Sequence, residues 1–244
     1  MSGLAEMNAH AYTRRLLAHA GAVAALVGAC LLFVSTLLHP IDSDPNDAPA
    51  SFAEYAASSH WVWIHIGQFV GFAGLGSSLA ALAGTLESGR TAAWARIGLA
   101  GATASIAAAA ALQAVDGVAL KIMVDRWAAA PGDARELAYE AAFAVRQIEI
   151  GLGSVLGLLF GFTMIVFGFA IVFSSRYPTW LGGIGLLGGL GMAAAGIAQA
   201  HTGFSDLAMT LSMAAGLVLL VWFILSGILM WRLAEKLASV GDVV

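Results

Sequence analysis

Long runs of apolar residues dominate the chain, and short polar stretches separate them. A helix needs about 20 apolar residues to cross the ~30 Å hydrocarbon layer of a bilayer. Six stretches reach this length, and they are continuous, whereas the strands of a membrane β-barrel alternate apolar and polar residues. The pattern therefore predicts an all-α bundle of six membrane-spanning helices that forms a single domain over residues 1–244. The predicted spans are 20–38, 61–86, 97–124, 141–173, 181–200 and 207–231.

The segments between the spans differ in length. Segment 39–60 contains turn residues at 44–47 and then Ser51 and Glu54 at capping-box spacing, which predicts a short surface helix starting at Ser51. Pro131-Gly132 predicts a turn between the third and fourth helices, which we expect to project beyond the membrane as a hairpin. On the other side, residues 87–96 and 174–180 form short connections. Residues 5–19 are interpreted as an interfacial helix that leads into the first span.

The positive charges predict the orientation. Cytoplasmic ends of membrane helices carry an excess of Lys and Arg. With the N-terminus inside, seven of the eleven basic residues lie on the cytoplasmic side. They are Arg14, Arg15, Arg90, Arg96, Arg176, Arg232 and Lys236. We therefore expect both termini in the cytoplasm and the predicted hairpin on the outer side.

Composition narrows the class of protein further. Apolar residues make up 60% of the chain and charged residues 11%, and the mean hydropathy is +0.86. These values exclude a disordered chain, and the net charge of -4 excludes nucleic acid as a partner. Cys30 is the only cysteine, so no disulfide forms within the chain, and we expect a buried structural thiol. No G-x-S-x-G, H-E-x-x-H or phosphate-binding glycine loop is present, so the sequence does not predict an enzyme.

Small residues and tryptophans suggest how the helices pack. Gly153, Gly157 and Gly161 form two GxxxG steps on one face of the fourth span, and the second and fifth spans are also rich in glycine. Such faces allow close helix contact, so we expect the second, fourth and fifth spans to form the tight centre. The same motif is compatible with a homo-oligomer or with a partner in a membrane complex. Trp61, Trp63 and Trp127 are predicted to lie in the outer interfacial belt.

Polar residues within the spans are the candidate functional residues, because an ionisable group at the centre of a membrane helix costs about 2.5–3.5 kcal/mol on insertion scales. All candidates lie in the predicted outer half, and several form pairs three residues apart on one helix face. Glu149 shares its face with Gly153 and Gly157, so it is expected to point into the bundle. The candidate ligand-binding residues are His65, Gln68, Gln113, Asp116, Arg146, Glu149 and Gln199.

Several functions fit this cluster. The first prediction is an outward-facing polar pocket that binds a small ligand, with His65 and Gln68 touching the ligand and Arg146 paired with Glu149 opposite Asp116. One alternative is a redox protein with a haem or a transition metal held by His65 and His201, with His39, Asp116 or Glu149 as further ligands. A proton-coupled transporter and an accessory or structural subunit joined by interhelical salt bridges also remain open.

The stretch Arg176-Tyr-Pro-Thr-Trp-Leu-Gly-Gly-Ile-Gly-Leu-Leu-Gly-Gly-Leu resembles a segment of a family of uncharacterised bacterial membrane proteins with about six spans. These proteins carry an arginine-tyrosine-proline-x-tryptophan-leucine-glycine turn before a glycine-rich helix. The resemblance implies a multi-pass protein of the bacterial inner membrane. The family has no assigned activity, so the resemblance assigns no functional residues.

Overall fold

A computed structural model describes residues 2–86 and 89–241, with the side chains of 12–86 and 89–239, and most of these residues are helical. No strand occurs among these residues. The helices are α1 (Ser2–Leu37), α2 (Ala48–Ala57), α3 (Trp61–Thr85), α4 (Gly89–Ala114), α5 (Lys121–Ala129), α6 (Ala134–Val172), α7 (Thr179–Thr202) and α8 (Asp206–Gly241), with a π-helical segment (Val115–Leu120) that joins α4 to α5.

Six of the helical stretches are long and apolar enough to cross a membrane, which confirms the prediction of six spans. They are Tyr12–Leu37, Trp61–Thr85, Gly89–Ala129, Ala134–Val172, Thr179–Thr202 and Asp206–Ser239. The third and fourth have 41 and 39 residues. At 1.5 Å per residue each is about 60 Å long, roughly twice the hydrocarbon thickness. Gly132, in the left-handed region at φ 52°, allows the turn between them.

Residues 5–19 are helical and continue without a break into the first span as part of α1, and their interfacial position stays a prediction; the side chains of 5–11 lie outside the described residues. Two other local predictions are wrong. The connection after α3 is shorter than 87–96, because α4 begins at Gly89, and residues 87 and 88 lie outside the described part. Helix α2 begins before Ser51, because the Asp47 side chain accepts a hydrogen bond from the Ala50 N–H and caps the helix.

The six long helices form a closed ring in the order α3, α1, α8, α7, α6, α4. The tight contact predicted for α6 and α7 is present: a Cβ on Gly157 would lie 3.1 Å from Gly196 Cα. The prediction that α3 joins them at the centre is wrong. Its glycines pack on α1 instead, where a Cβ on Gly71 would lie 2.7 Å from the backbone nitrogen of Leu32. Gly28 of α1 supplies the complementary small residue for this contact.

Aromatic side chains fill the centre of the ring. Phe160 of α6 lies with its ring centroid 4.9 Å from Phe72 of α3 and 6.2 Å from Phe223 of α8. The outer surface of the ring carries many exposed large apolar side chains, as expected for contact with lipid. Cys30 is exposed on this surface, so the prediction of a buried thiol is wrong. The chain is a multi-pass membrane protein.

Candidate functional site

Polar side chains concentrate at one end of the ring, here called the hairpin end. This end is formed by segment 39–60, which includes α2, by the turn at 130–133, and by the α7–α8 connection at 203–205. Helix α2 packs against α5, and its Phe52 and Tyr55 join a small apolar cluster with Trp127 of α5 and Ala142 of α6. This cluster fixes segment 39–60 over the ends of the membrane helices.

His65 and Asp116 form the central pair of the site. His65 of α3 is 1% exposed, and its Nε2 lies 3.0 Å from Oδ2 of Asp116 in the π-helical segment. The second ring nitrogen of His65, Nδ1, lies 2.7 Å from the carbonyl oxygen of Trp61. A carbonyl only accepts hydrogen bonds, so Nδ1 carries a proton and donates it. The other carboxylate oxygen, Asp116 Oδ1, is buried without a hydrogen-bond partner among the described residues.

His39 completes a cluster of three possible metal ligands. It follows the first span, and its Nδ1 lies 2.8 Å from the carbonyl oxygen of Pro40, so this nitrogen also acts as a donor. Its ring centroid lies 5.3 Å from that of His65. One potential ligand atom from each of His39, His65 and Asp116 lies within 4.8 Å of the others. Burial lowers the pKa of His39, against the attraction of Asp116. The imidazole is therefore mainly neutral at pH 7, the form that binds a metal.

The π-helical segment allows His65 and Asp116 to approach each other. A Cβ on Gly117 would lie 2.4 Å from the His65 Cβ, so only glycine fits there without displacing the imidazole. Trp61 Nε1 donates to the Asp116 carbonyl oxygen at 3.0 Å, which ties α3 to the same segment. Trp61 is almost fully buried, so the prediction that it lies in the interfacial belt is wrong. A π-turn inside a long helix often marks a functional site.

Arg146 and Glu149 of α6 form the second half of the site and confirm the predicted pair. Both side chains are buried, and Arg146 Nη1 donates to Glu149 Oε1 at 3.1 Å and to Oε2 at 3.0 Å. Arg146 Nη2 donates to the Pro45 carbonyl oxygen at 3.1 Å and to the Tyr55 hydroxyl at 3.2 Å. The guanidinium also lies 4.5 Å from the ring centroid of Phe204. Arg146 therefore links the membrane helices to both loops above them.

Further hydrogen bonds hold segment 39–60 in place. Asn46 Nδ2 donates to the Phe204 carbonyl oxygen at 2.7 Å. The carboxylate of Glu54 accepts the backbone N–H groups of Asp42 and Ser43 at 3.0 and 2.9 Å. Desolvation of Glu54 favours its neutral form, but these hydrogen bonds outweigh it and lower the pKa of the carboxyl. Glu54 thus stabilises the loop rather than a capping box in α2.

Of the three remaining predicted residues, one joins two helices, and the other two are half-buried without a hydrogen bond in the described part of the chain. Gln199 Nε2 donates to the Ile150 carbonyl oxygen at 3.1 Å and packs on Gly153, so it joins α7 to α6. Gln68 is half-buried and has no hydrogen bond within the described part of the chain. Gln113 is half-buried, and its Oε1 is buried without a partner among the described residues.

The pairing of His65 with His201 finds no support in the geometry. His201 is exposed near the end of α7 and does not belong to the cluster of metal-ligand side chains in the described residues. Its place beside His65 is taken by His39, which the sequence offered only as a further ligand. Lys121 is also outside the central network, because its Nζ binds the carbonyl oxygens of Tyr55 and Ala56 and the Asp125 carboxylate.

Sequence reasoning missed the aromatic frame of the site. Tyr55 packs against Trp61 in a tilted arrangement with ring centroids 4.2 Å apart, and Trp61 packs against His65 in the same way at 4.5 Å. Burial raises the pKa of the Tyr55 hydroxyl, against the effect of Arg146, so this group stays a neutral partner of the guanidinium. The available signal was the position of two aromatic residues on either side of the short connection between α2 and α3.

The fold and the site together define a six-span membrane protein with a partly buried cluster of two histidines and a carboxylate beside a buried arginine–glutamate pair. Searches of protein-family models, of curated proteins and of solved structures gave no match to this chain.

Proposed function

We propose that this membrane protein binds a divalent transition-metal ion through His39, His65 and Asp116. One observation carries the proposal: in both histidines Nδ1 is held as a donor by a backbone carbonyl, which leaves Nε2 as the nitrogen that can bind a metal, in His65 once the ion displaces the proton of the hydrogen bond to Asp116. Metal-binding histidines are held in this way almost without exception, because the second hydrogen bond fixes the tautomer and the ring orientation. The unpartnered Oδ1 of Asp116 supplies further acceptor capacity beside them.

The ligand set favours Zn²⁺ or Fe²⁺. Two imidazoles and one carboxylate are the protein ligands of many catalytic zinc sites and of non-haem iron sites, and both types keep an open coordination position. No thiolate takes part, because Cys30, the only cysteine, is exposed on the surface of α1. The rings of Tyr55, Trp61, His39 and His65 are packed against one another at 4.2–6.4 Å between centroids, which leaves room for an ion rather than for a porphyrin plane.

The closed packing makes the other functions less favourable. Arg146 and Glu149 already satisfy each other, so the polar cluster offers a partly buried ion site in place of the open pocket predicted for a small ligand. Aromatic packing at the centre of the ring gives no support to a transporter. The excess of basic residues at the opposite end favours an outward-facing hairpin end. Together with the resemblance of the stretch that starts at Arg176, this charge distribution supports a location in the bacterial inner membrane.

Metal binding to the purified protein tests the proposal. The protein in mild detergent is treated with a chelator, and Zn²⁺ and Fe²⁺ binding is measured by calorimetry and elemental analysis. We expect one ion per chain in the wild type and at least a tenfold loss of affinity in H39A and D116N.

The matched control is H201A, which removes an exposed histidine at the same end of the bundle without touching the cluster. Thermal unfolding of each metal-free variant checks that it is folded. A wild-type protein that binds no stoichiometric metal would overturn the proposal. So would an equal loss of affinity in H201A and H39A.

A further inference from the structure

Arginines without acidic partners lie at the end of the bundle opposite the hairpin end, here called the basic end. Arg90 lies at the start of α4, and Arg176 lies in the connection between α6 and α7. Both side chains are exposed, and neither forms an ion pair within the described part of the chain. Among the described side chains of this end, Glu235 of α8 is the only carboxylate, and it accepts a hydrogen bond from Trp231. The two arginines are therefore available to an anion.

Helices α4 and α6 place Arg90 at the edge of an apolar surface. The Arg90 guanidinium carbon lies 5.3 Å from the ring centroid of Phe173. One turn deeper in each helix, the ring centroids of Trp94 and Phe169 lie 5.5 Å apart. This second pair is about 6 Å further along the helix axis. Phe173 and Phe169 are 47% and 37% exposed. A positive charge thus stands at the helix ends, and exposed aromatic rings follow it toward the middle of the spans.

Two hydrogen bonds hold Arg176 near the same place. Thr91 Oγ1 donates to the Phe173 carbonyl oxygen at 3.1 Å, which ties the start of α4 to the end of α6. The hydroxyl oxygen of the buried Tyr177 lies 2.8 Å from that of Thr85, which holds the α6–α7 connection against α3. Arg176 follows Phe173 by three residues, so their Cα atoms are at most about 11 Å apart. Its long side chain is therefore within reach of an anion bound at the start of α4.

The membrane supplies an anion at this level. Arg90 is the second residue of one membrane-spanning stretch, and Arg176 lies three residues before the next one, Thr179–Thr202. Phospholipid headgroups begin where a span ends, and Trp94 and Trp180 match the preference of tryptophan for this level. Basic pockets between membrane helices bind anionic headgroups. A guanidinium group can donate two parallel hydrogen bonds to one phosphate.

We infer that this surface binds one anionic phospholipid, with the headgroup phosphate on Arg90 and Arg176. The acyl chains lie along the rings of Trp94, Phe169 and Phe173. The arrangement favours a lipid over a free anion, because the exposed rings one turn below the charge match acyl chains and offer nothing to a water-soluble ion. The inference is independent of the proposed metal site, which lies at the hairpin end.

Two matched lipids test the inference. The protein in mild detergent is titrated with dioleoyl phosphatidylglycerol or with dioleoyl phosphatidylcholine, and the bound lipids are counted by native mass spectrometry. The second lipid has the same acyl chains but no net charge. We expect the first phosphatidylglycerol to bind at least tenfold more tightly than the first phosphatidylcholine, because each arginine near the membrane surface contributes about fivefold to the affinity for an anionic lipid.

Variants locate the binding. R90Q/R176Q is expected to lose the preference for phosphatidylglycerol. The matched control is R96Q/R232Q, which also removes two exposed arginines at the basic end. Arg96 lies about 200° around α4 from Trp94, and Arg232 lies on α8. This control is expected to keep the tenfold preference, and thermal unfolding checks that both variants are folded.

Equal affinities of the wild-type protein for the two lipids would overturn the inference whether or not the variants fold. An equal loss of preference in both double variants would also overturn it, because the net charge of the basic end would then suffice. A competition with millimolar sodium phosphate distinguishes a lipid from a free anion. We expect phosphatidylglycerol to stay bound, and its displacement by phosphate would assign the arginines to a soluble anion instead.

Discussion

Gly117 is the position where the smallest substitution has the largest expected effect on the site. An alanine Cβ there would lie 2.4 Å from His65 Cβ and 2.9 Å from His65 Cγ. Ordinary contacts between such atoms begin near 3.4 Å. In G117A the π-helical segment and α3 must therefore separate by about 1 Å.

That separation acts on the central hydrogen bond. His65 Nε2 and Asp116 Oδ2 are 3.0 Å apart, and a further ~1 Å takes them beyond hydrogen-bond distance. Overpacking costs about 1–3 kcal/mol of stability, and the better helix propensity of alanine returns about 1 kcal/mol. We therefore expect a loss of stability of about 0–2 kcal/mol. Displacement of a ligand should lower metal affinity by about 10- to 100-fold, the range measured when groups that orient ligands are removed.

Calorimetric Zn²⁺ titration and thermal unfolding of G117A measure these two quantities. G151A is the matched control, because a Cβ on Gly151 meets no atom within 4 Å. This control should keep the wild-type affinity. Wild-type affinity in a folded G117A protein would refute the argument that the close approach of this glycine positions His65.

Three further predictions concern packing, pH and charge. G196A should destabilise the protein by about 1–3 kcal/mol, because the new Cβ would lie 2.7 Å from a backbone oxygen of α6. G183A is the control and should not destabilise the protein, because a Cβ on Gly183 meets no atom within 4 Å. Equal melting temperatures of the two variants would contradict this prediction. Burial raises the pKa of Tyr177 to about 12, so the contribution of Tyr177 to stability should stay constant below pH 10 and fall by about 2–3 kcal/mol as the pH rises to 12. Y177F should lack this part of the fall in alkaline unfolding curves. R146M should destabilise the protein by about 3–5 kcal/mol, because it leaves the buried carboxylate of Glu149 unpaired. The double variant R146M/E149L should recover most of this loss in an unfolding assay. Losses of stability that add up from R146M and E149L alone would argue against the pair.

The sequence predicted those features that depend on periodicity along one helix. The six apolar runs defined the spans because the hydrocarbon thickness sets a minimum length. The three-residue spacing of Arg146 and Glu149 put both on one face of α6, and the structure confirms the pair. The GxxxG steps likewise predicted the close contact of α6 with α7.

The sequence could not predict contacts that depend on the path of a loop. His39 reaches the cluster because segment 39–60 turns back over the bundle, and hydrogen bonds between distant residues fix that path. The π-helical segment was hidden for a similar reason, since its extra residue is favoured by Gly117 and Trp61 across the interface rather than by local propensity. The partner of α3 was missed because glycines in α1 compete with those of α6 and α7 for the same kind of contact.

The aromatic centre of the ring also has an electrical consequence. Phe72, Phe160 and Phe223 lie near the middle of their spans and separate the cluster from the opposite side. Most of a transmembrane voltage then falls across this apolar layer, and a full crossing of 100 mV is worth about 2.3 kcal/mol per elementary charge. A cation that enters at the hairpin end crosses only a small part of that field. The occupancy of the proposed metal site should therefore follow the metal concentration of the compartment that the hairpin end faces. It should stay nearly independent of the membrane potential.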